Sequence, residues 1–179
     1  MRSFLLRLTD KRLRATLGTV TGCGEALGDL EREPAAAPTL LRPFRKELDS
    51  ARAAGSSQEA GRALAAADDF AARLEKTFSD MALLQVRPDS PSREALLHLQ
   101  RACSLTPRLL SRSGRAAASA ELLAHCATGR KALSLALSAA AAAGSPSSFP
   151  LNLKFSSIYS GLDSVFEALE RCAGSLYLI

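Results

Sequence analysis

Apolar residues in this chain recur at alternating steps of three and four, the spacing that lines one face of an α-helix. The clearest series is Ala60, Leu64, Ala67, Ala71, Leu74, Phe78 and Met81. It predicts a helix from about Ser57 to Gln85 whose seam suits left-handed, near-antiparallel packing. A second unbroken series, Phe155, Ile158, Leu162, Val165, Leu169, Cys172 and Leu176, predicts a final helix. Gly174 reads as its end, leaving an apolar tail of Leu176, Tyr177, Leu178 and Ile179 that the fold or a partner must cover. Between the two lies Ala116 to Gly144, more than half Ala or Leu. Such residues lose little side-chain entropy in a helix. The run reads as a central staff, with Leu122, Cys126, Leu133, Leu137 and Ala140 on one face and other helices packed around it.

The remaining elements are set by punctuation. Leu6, Leu13, Leu17, Val20 and Leu27 place a first helix within residues 1–33. Its opening, with Arg2, Arg7, Lys11, Arg12 and Arg14 among leucines, is presequence-like, although Asp10 counts against that reading. Gly18, Gly22, Gly24 and Gly28 either admit a close neighbour or break the helix near Gly22 to Gly24. Two prolines make 34–38 a linker. A helix from Thr39 to Ala54 follows, with Pro43 tolerable only in its first turn. Gly55 is the expected stop, and Ser56 with Glu59 a capping box for the next helix. After Arg87 to Ser92, Ser90 is the expected N-cap of a helix from Pro91 to about Ser113, which Pro107 must kink or split. The stretch 144–150 links to the last helix. These elements predict one all-α domain over 1–179, an up-and-down bundle of five or six amphipathic helices joined by short Gly/Pro/Ser turns.

Composition agrees with helix: aromatics are 5% and tryptophan is absent, while sheets favour aromatic and β-branched residues. Lys and Arg exceed Asp and Glu by 23 to 18, a formal charge of +5, without any tight basic cluster. The four cysteines, Cys23, Cys103, Cys126 and Cys172, are far apart and fall mostly on apolar faces, which suits small buried hydrophobes better than a disulfide framework. No apolar run approaches the length of a membrane span, which leaves peripheral membrane association open.

Chemistry is sparse. His98, Cys103, His125 and Cys126 offer zinc-ligand types, but each pair points to different sides of its helix. Asp68 and Asp69 lie opposite the Ala67, Ala71 and Leu74 seam, where a solvated face is expected. No glycine-rich phosphate loop follows a strand, and nothing marks an activated nucleophile. No catalytic, cofactor or metal site is expected, and no enzyme.

Two resemblances can be set beside this. Alanine-rich bundles of long amphipathic helices resemble the rod domains of talin- and vinculin-type adaptors. The sequence AAAAAGSPSS, followed by Tyr159 and LDSVFEALERCAG, resembles the final helix pair of the PsbQ-type photosystem extrinsic proteins over about one fifth of the chain. The latter implies a four-helix bundle serving as an accessory subunit of an organellar photosynthetic or respiratory complex. The residues themselves point to a non-enzymatic interaction or scaffold subunit, cytoplasmic or organellar, within a larger complex. Its expected contact residues are Arg101, Arg108, Arg112 and Arg115, with Leu176, Tyr177, Leu178 and Ile179. A basic stripe over 87–115 makes anion or nucleic-acid binding an alternative, and a ligand held between helices is another.

Overall fold

The computed structural model describes residues 10–54, 57–111, 113–142 and 149–179, apart from the side chains of 149 and 150. The chain is all-α: six helices and no strand among the described residues. They are α1 (Lys11–Arg32), α2 (Ala37–Arg52), α3 (Gln58–Leu84), α4 (Ser90–Leu105), α5 (Arg115–Ala142) and α6 (Phe149–Tyr177). Short 3-10 turns occupy Pro34–Ala36 and Thr106–Leu110. No described helix is long and apolar enough to cross a membrane.

Three helix starts carry a side-chain cap. Asp10, the residue at odds with a presequence, is the N-cap of α1 and accepts from the amides of Arg12 and Leu13. The basic positions before it lie outside the described residues. For α3 the cap is Ser57, accepting from the Ala60 amide at 3.2 Å, rather than the expected Ser56, which lies outside the described residues. For α4 it is Asp89 rather than Ser90, accepting from the Ser92 amide at 3.1 Å, so that Pro91 falls in the first turn. Pro107 splits the expected longer helix: α4 stops at Leu105 and the chain tightens into the 3-10 turn.

Two linkers are shorter than their composition suggests. Within 34–38 the chain makes its 3-10 turn and has already entered α2 at Ala37. Pro43 then lies inside α2, beyond the first turn that was expected to be its limit. In the second linker, 143–148 lies outside the described residues, and α6 begins at Phe149.

The helix pair with the broadest contact is α3 with α6, two elements far apart in sequence. They run antiparallel, with Cys172 opposite Ala63 at one end and Lys154 reaching the Leu84 carbonyl at the other. α1 packs on α2, α3 and α4, and α5 closes the bundle against α4 and α6. The expected seam of α3 is buried throughout. A second face, with Ala63, Phe70 and Thr77, is buried as well.

The Ala116 to Gly144 staff is therefore not central. Helix α5 buries only Ala118, Leu122, Cys126, Gly129 and Leu133, while Leu137 and Ala140 are half-buried. Alanine makes a good helix but supplies little surface to bury, so the axis of the bundle is formed by helices carrying larger side chains.

Glycines settle where helices approach. A Cβ on Gly22 would stand 2.2 Å from the Phe44 ring, and one on Gly24 2.6 Å from Cys103 Cβ. α1 runs unbroken through both. They are sites of close approach and not a break. Gly129 does the same for Phe166, whose ring would lie 2.3 Å from an added Cβ. Gly174 is interior to α6, which continues to Tyr177; Leu176 is consequently a core residue, not part of a tail.

Candidate protein-binding surface

The expected contact residues divide between internal work and exposure. Arg101 is exposed on α4 and makes no ion pair among the described residues. Arg108 pairs with Glu121 of α5 at 3.7 Å. Arg112 lies outside the described residues. Arg115 is turned inward: its Nη1 donates to the Tyr177 carbonyl at 2.9 Å, and its guanidinium lies 5.8 Å from the Tyr177 ring centre. Its Nε is buried without a hydrogen-bond partner among the described residues. In the C-terminal segment Leu176 is fully buried, Ile179 packs on the core, and Tyr177 and Leu178 are exposed. The structure thus brings Arg115 and the C-terminal residues together, and leaves Arg101 apart from them.

Arg115 belongs to a wider pattern. The last carbonyls of a helix lack intrahelical partners and carry partial negative charge, which cationic or amide side chains satisfy. Lys11 and Arg12 reach the carbonyls of Ser50, Ala51 and Arg52 at the end of α2. Lys154 donates to the Leu84 carbonyl of α3 at 2.9 Å, and Asn152 to the Ala140 carbonyl of α5 at 3.1 Å. Arg115 completes the set at the end of α6. Part of the basic excess is therefore spent within the fold.

Carboxylates absorb more of it. Asp68 and Asp69 do not form a solvated face; as neighbours on α3 they turn toward different helices. Asp68 pairs with Arg45 and Arg52 of α2, and Asp69 with Arg171 of α6 and Arg73 of its own helix. Partial burial pushes the Asp69 carboxyl upward, but hydrogen bonds from Arg73 and Arg171 outweigh it and hold the group below its ordinary range. Arg130 of α5 spans Asp163 at 2.7 Å and Glu167 and Glu170 at 3.5 Å, three acids on successive turns of α6. The Asp163 hydrogen bond raises the Arg130 pKa further. An open groove of about 620 Å³ runs beside this clamp, lined by Lys131, Ser134, Leu137 and Ser160 among others.

Exposed apolar side chains gather elsewhere. α4 is 16 residues long and pairs antiparallel with the first part of α5, His98 facing His125. That register leaves the part of α5 beyond Leu133 with α6 as its neighbour, and no residue there is buried. Leu135 is 62% exposed, and on the facing start of α6 Leu151 and Leu153 are 52% and 56% exposed. Leu83, 80% exposed, lies beside the Leu84 carbonyl that Lys154 caps, toward the same end of the bundle. Periodicity alone missed this patch, because α5 has no strong apolar side from which to tell inside from outside.

All four cysteines are buried, and none is joined in a disulfide. Burial pushes the thiols of Cys23, Cys126 and Cys172 up to about 12, and that of Cys103 up as well, so none is a ready nucleophile. His98 and His125 meet with Nδ1 atoms 3.0 Å apart. Burial, then the neighbouring His125 and Arg101, lower the His98 pKa against the pull of Glu94. No cluster of three or more His, Cys, Asp or Glu suited to a metal is assembled among the described residues.

These features define the class as far as the molecule carries it: an all-α bundle whose charges are largely used internally and whose exposed large apolar side chains include Leu83, Leu135, Leu151 and Leu153 as well as Leu97, Leu123, Tyr177 and Leu178. No family model, curated protein or solved structure matches the chain. The likenesses to photosystem extrinsic proteins and to adaptor rods gain no support from those comparisons.

Proposed function

We propose that this chain is a non-enzymatic interaction subunit that binds a protein partner through exposed helix faces, chiefly the apolar end formed by α5 and α6. The observation that supports this reading most is the run of α5 past Leu133, which has no fully buried residue and carries Leu135 exposed, while Leu151 and Leu153 are exposed on the start of α6. Large apolar side chains exposed on helix faces are candidate contact points for a partner. Arg101, Tyr177 and Leu178 remain as secondary contact positions. The capture of Arg108 and Arg115 in internal contacts favours protein binding over an anion-binding stripe.

The test is the native mass of the full chain, tagged and expressed in the cells it comes from, compared with the same chain carrying Leu135→Glu, Leu151→Glu and Leu153→Glu. The wild type is expected in an assembly well above 18.9 kDa, and the variant at monomer mass with unchanged helicity. A monomeric wild type overturns the subunit reading. An intact assembly in the variant overturns this surface.

A further inference from the structure

From the geometry of His98 and His125 we infer a two-histidine binding site for a tetragonal transition-metal ion, Cu(II) or Ni(II), bridging α4 and α5. The two residues are 27 apart in sequence and come together because α4 and α5 run antiparallel. Their Nδ1 atoms lie 3.0 Å apart, with ring centres 5.2 Å apart and planes tilted by 44°. Two imidazoles bound at about 2.0–2.1 Å to one ion and separated by this distance subtend about 94° at the metal. That is close to the angle between adjacent positions of a square-planar or tetragonal site, and imidazole is a ligand that suits Cu(II) and Ni(II).

The present Nδ1 to Nδ1 contact is a hydrogen bond, so one ring carries its proton on Nδ1 and the other accepts there. Metal binding moves that single proton to Nε2 of the same ring and leaves both Nδ1 lone pairs to the ion. Both rings are half-exposed, so water can fill the remaining coordination positions. The cysteines take no part: all four are buried in the core. The site departs from the expectation of no metal position, which weighed each histidine with the cysteine nearest in sequence and not with the histidine across the helix pair.

An ion held by both helices raises the thermal midpoint to the extent that it binds the folded chain more tightly than the unfolded one. The four thiols and two imidazoles of the unfolded chain also take metal ions, and its thiols are kept out of the comparison by alkylating the unfolded fraction. The experiment is thermal unfolding of the full chain with CuCl2 or NiCl2 at one to ten equivalents, with Cu(II) electron paramagnetic resonance on the same samples. The expected result is a saturable rise in midpoint and an axial Cu(II) spectrum with nitrogen hyperfine structure from two imidazoles. His98→Asn and His125→Asn should each lose the rise and weaken Cu(II) binding by about tenfold or more. The asparagines retain polar groups at these half-exposed positions, and circular dichroism confirms that each variant folds. An equal rise in both variants, no saturable rise in the wild type, or a spectrum lacking two-nitrogen ligation overturns the site.

Discussion

α3 and α5 are nearly the same length, 27 and 28 residues, and both are rich in alanine, yet they occupy opposite roles. α3 buries ten residues, among them Phe70, Leu74, Phe78 and Met81, and packs on α1, α2 and α6. α5 buries five, and its other residues are half-buried or exposed. Helix propensity makes a segment helical, but the volume and spacing of its large side chains decide whether it becomes the axis of a bundle. The two helices therefore answer to different tests.

The largest difference should come from truncating core aromatics. Phe70→Ala or Phe78→Ala in α3 removes a fully buried ring and should cost about 3–5 kcal/mol in chemical denaturation. Leu135→Ala in α5 should change stability by less than about 0.5 kcal/mol. Equal losses would contradict the assigned roles.

Glycine substitutions sharpen the contrast within α5 and its partner. Gly129→Ala places a methyl against Phe166 and should destabilise by about 1–3 kcal/mol, although alanine is the better helix former. Gly174→Ala, in open space on α6, should stabilise by up to about 1 kcal/mol. Opposite signs in paired thermal melts would confirm that one glycine is a socket and the other is not. At the end of α3, Gln85 holds a left-handed conformation with φ 56°. Gln85→Gly should stabilise by about 1 kcal/mol, since only glycine adopts that region without strain.

The smallest effect concerns pH. The Asp69 carboxyl has a lowered pKa in the folded chain, so its contribution is present above the ordinary carboxylate range and is lost as pH falls through the lowered value. Asp69→Asn should reduce the steepness of acid unfolding while leaving that of alkaline unfolding unchanged, read by circular dichroism across the pH range.

Much of the fold was legible in the chain. The three-four series of α3 and α6 marked buried faces because large residues alternate with polar ones, and prolines located the helix boundaries to within a few residues. The N-caps were misplaced by one residue because adjacent positions, Ser56 and Ser57 or Asp89 and Ser90, carry side chains equally able to cap. What the sequence concealed was contact between distant segments. Gly22 and Gly24 look like breaks until Phe44 and Cys103 are placed against them. Asp68 and Asp69 look solvated until α2 and α6 arrive from either side. The exposure of Leu135 follows from α4 being too short to cover the end of α5, a matter of tertiary register that a one-dimensional pattern does not contain.

The side chains of Lys11, Arg12, Arg115, Asn152 and Lys154 that satisfy carbonyls on neighbouring helices carry one further consequence. Helix ends ordinarily fray one at a time and exchange their amide hydrogens locally. Here the last turns of α2, α3, α5 and α6 are each tied to the start of another helix, those of α3 and α5 both to α6, so loosening one end releases its anchor as well. Fraying becomes a shared event between helices, and amides at the two sides of each tie should exchange with a common opening free energy.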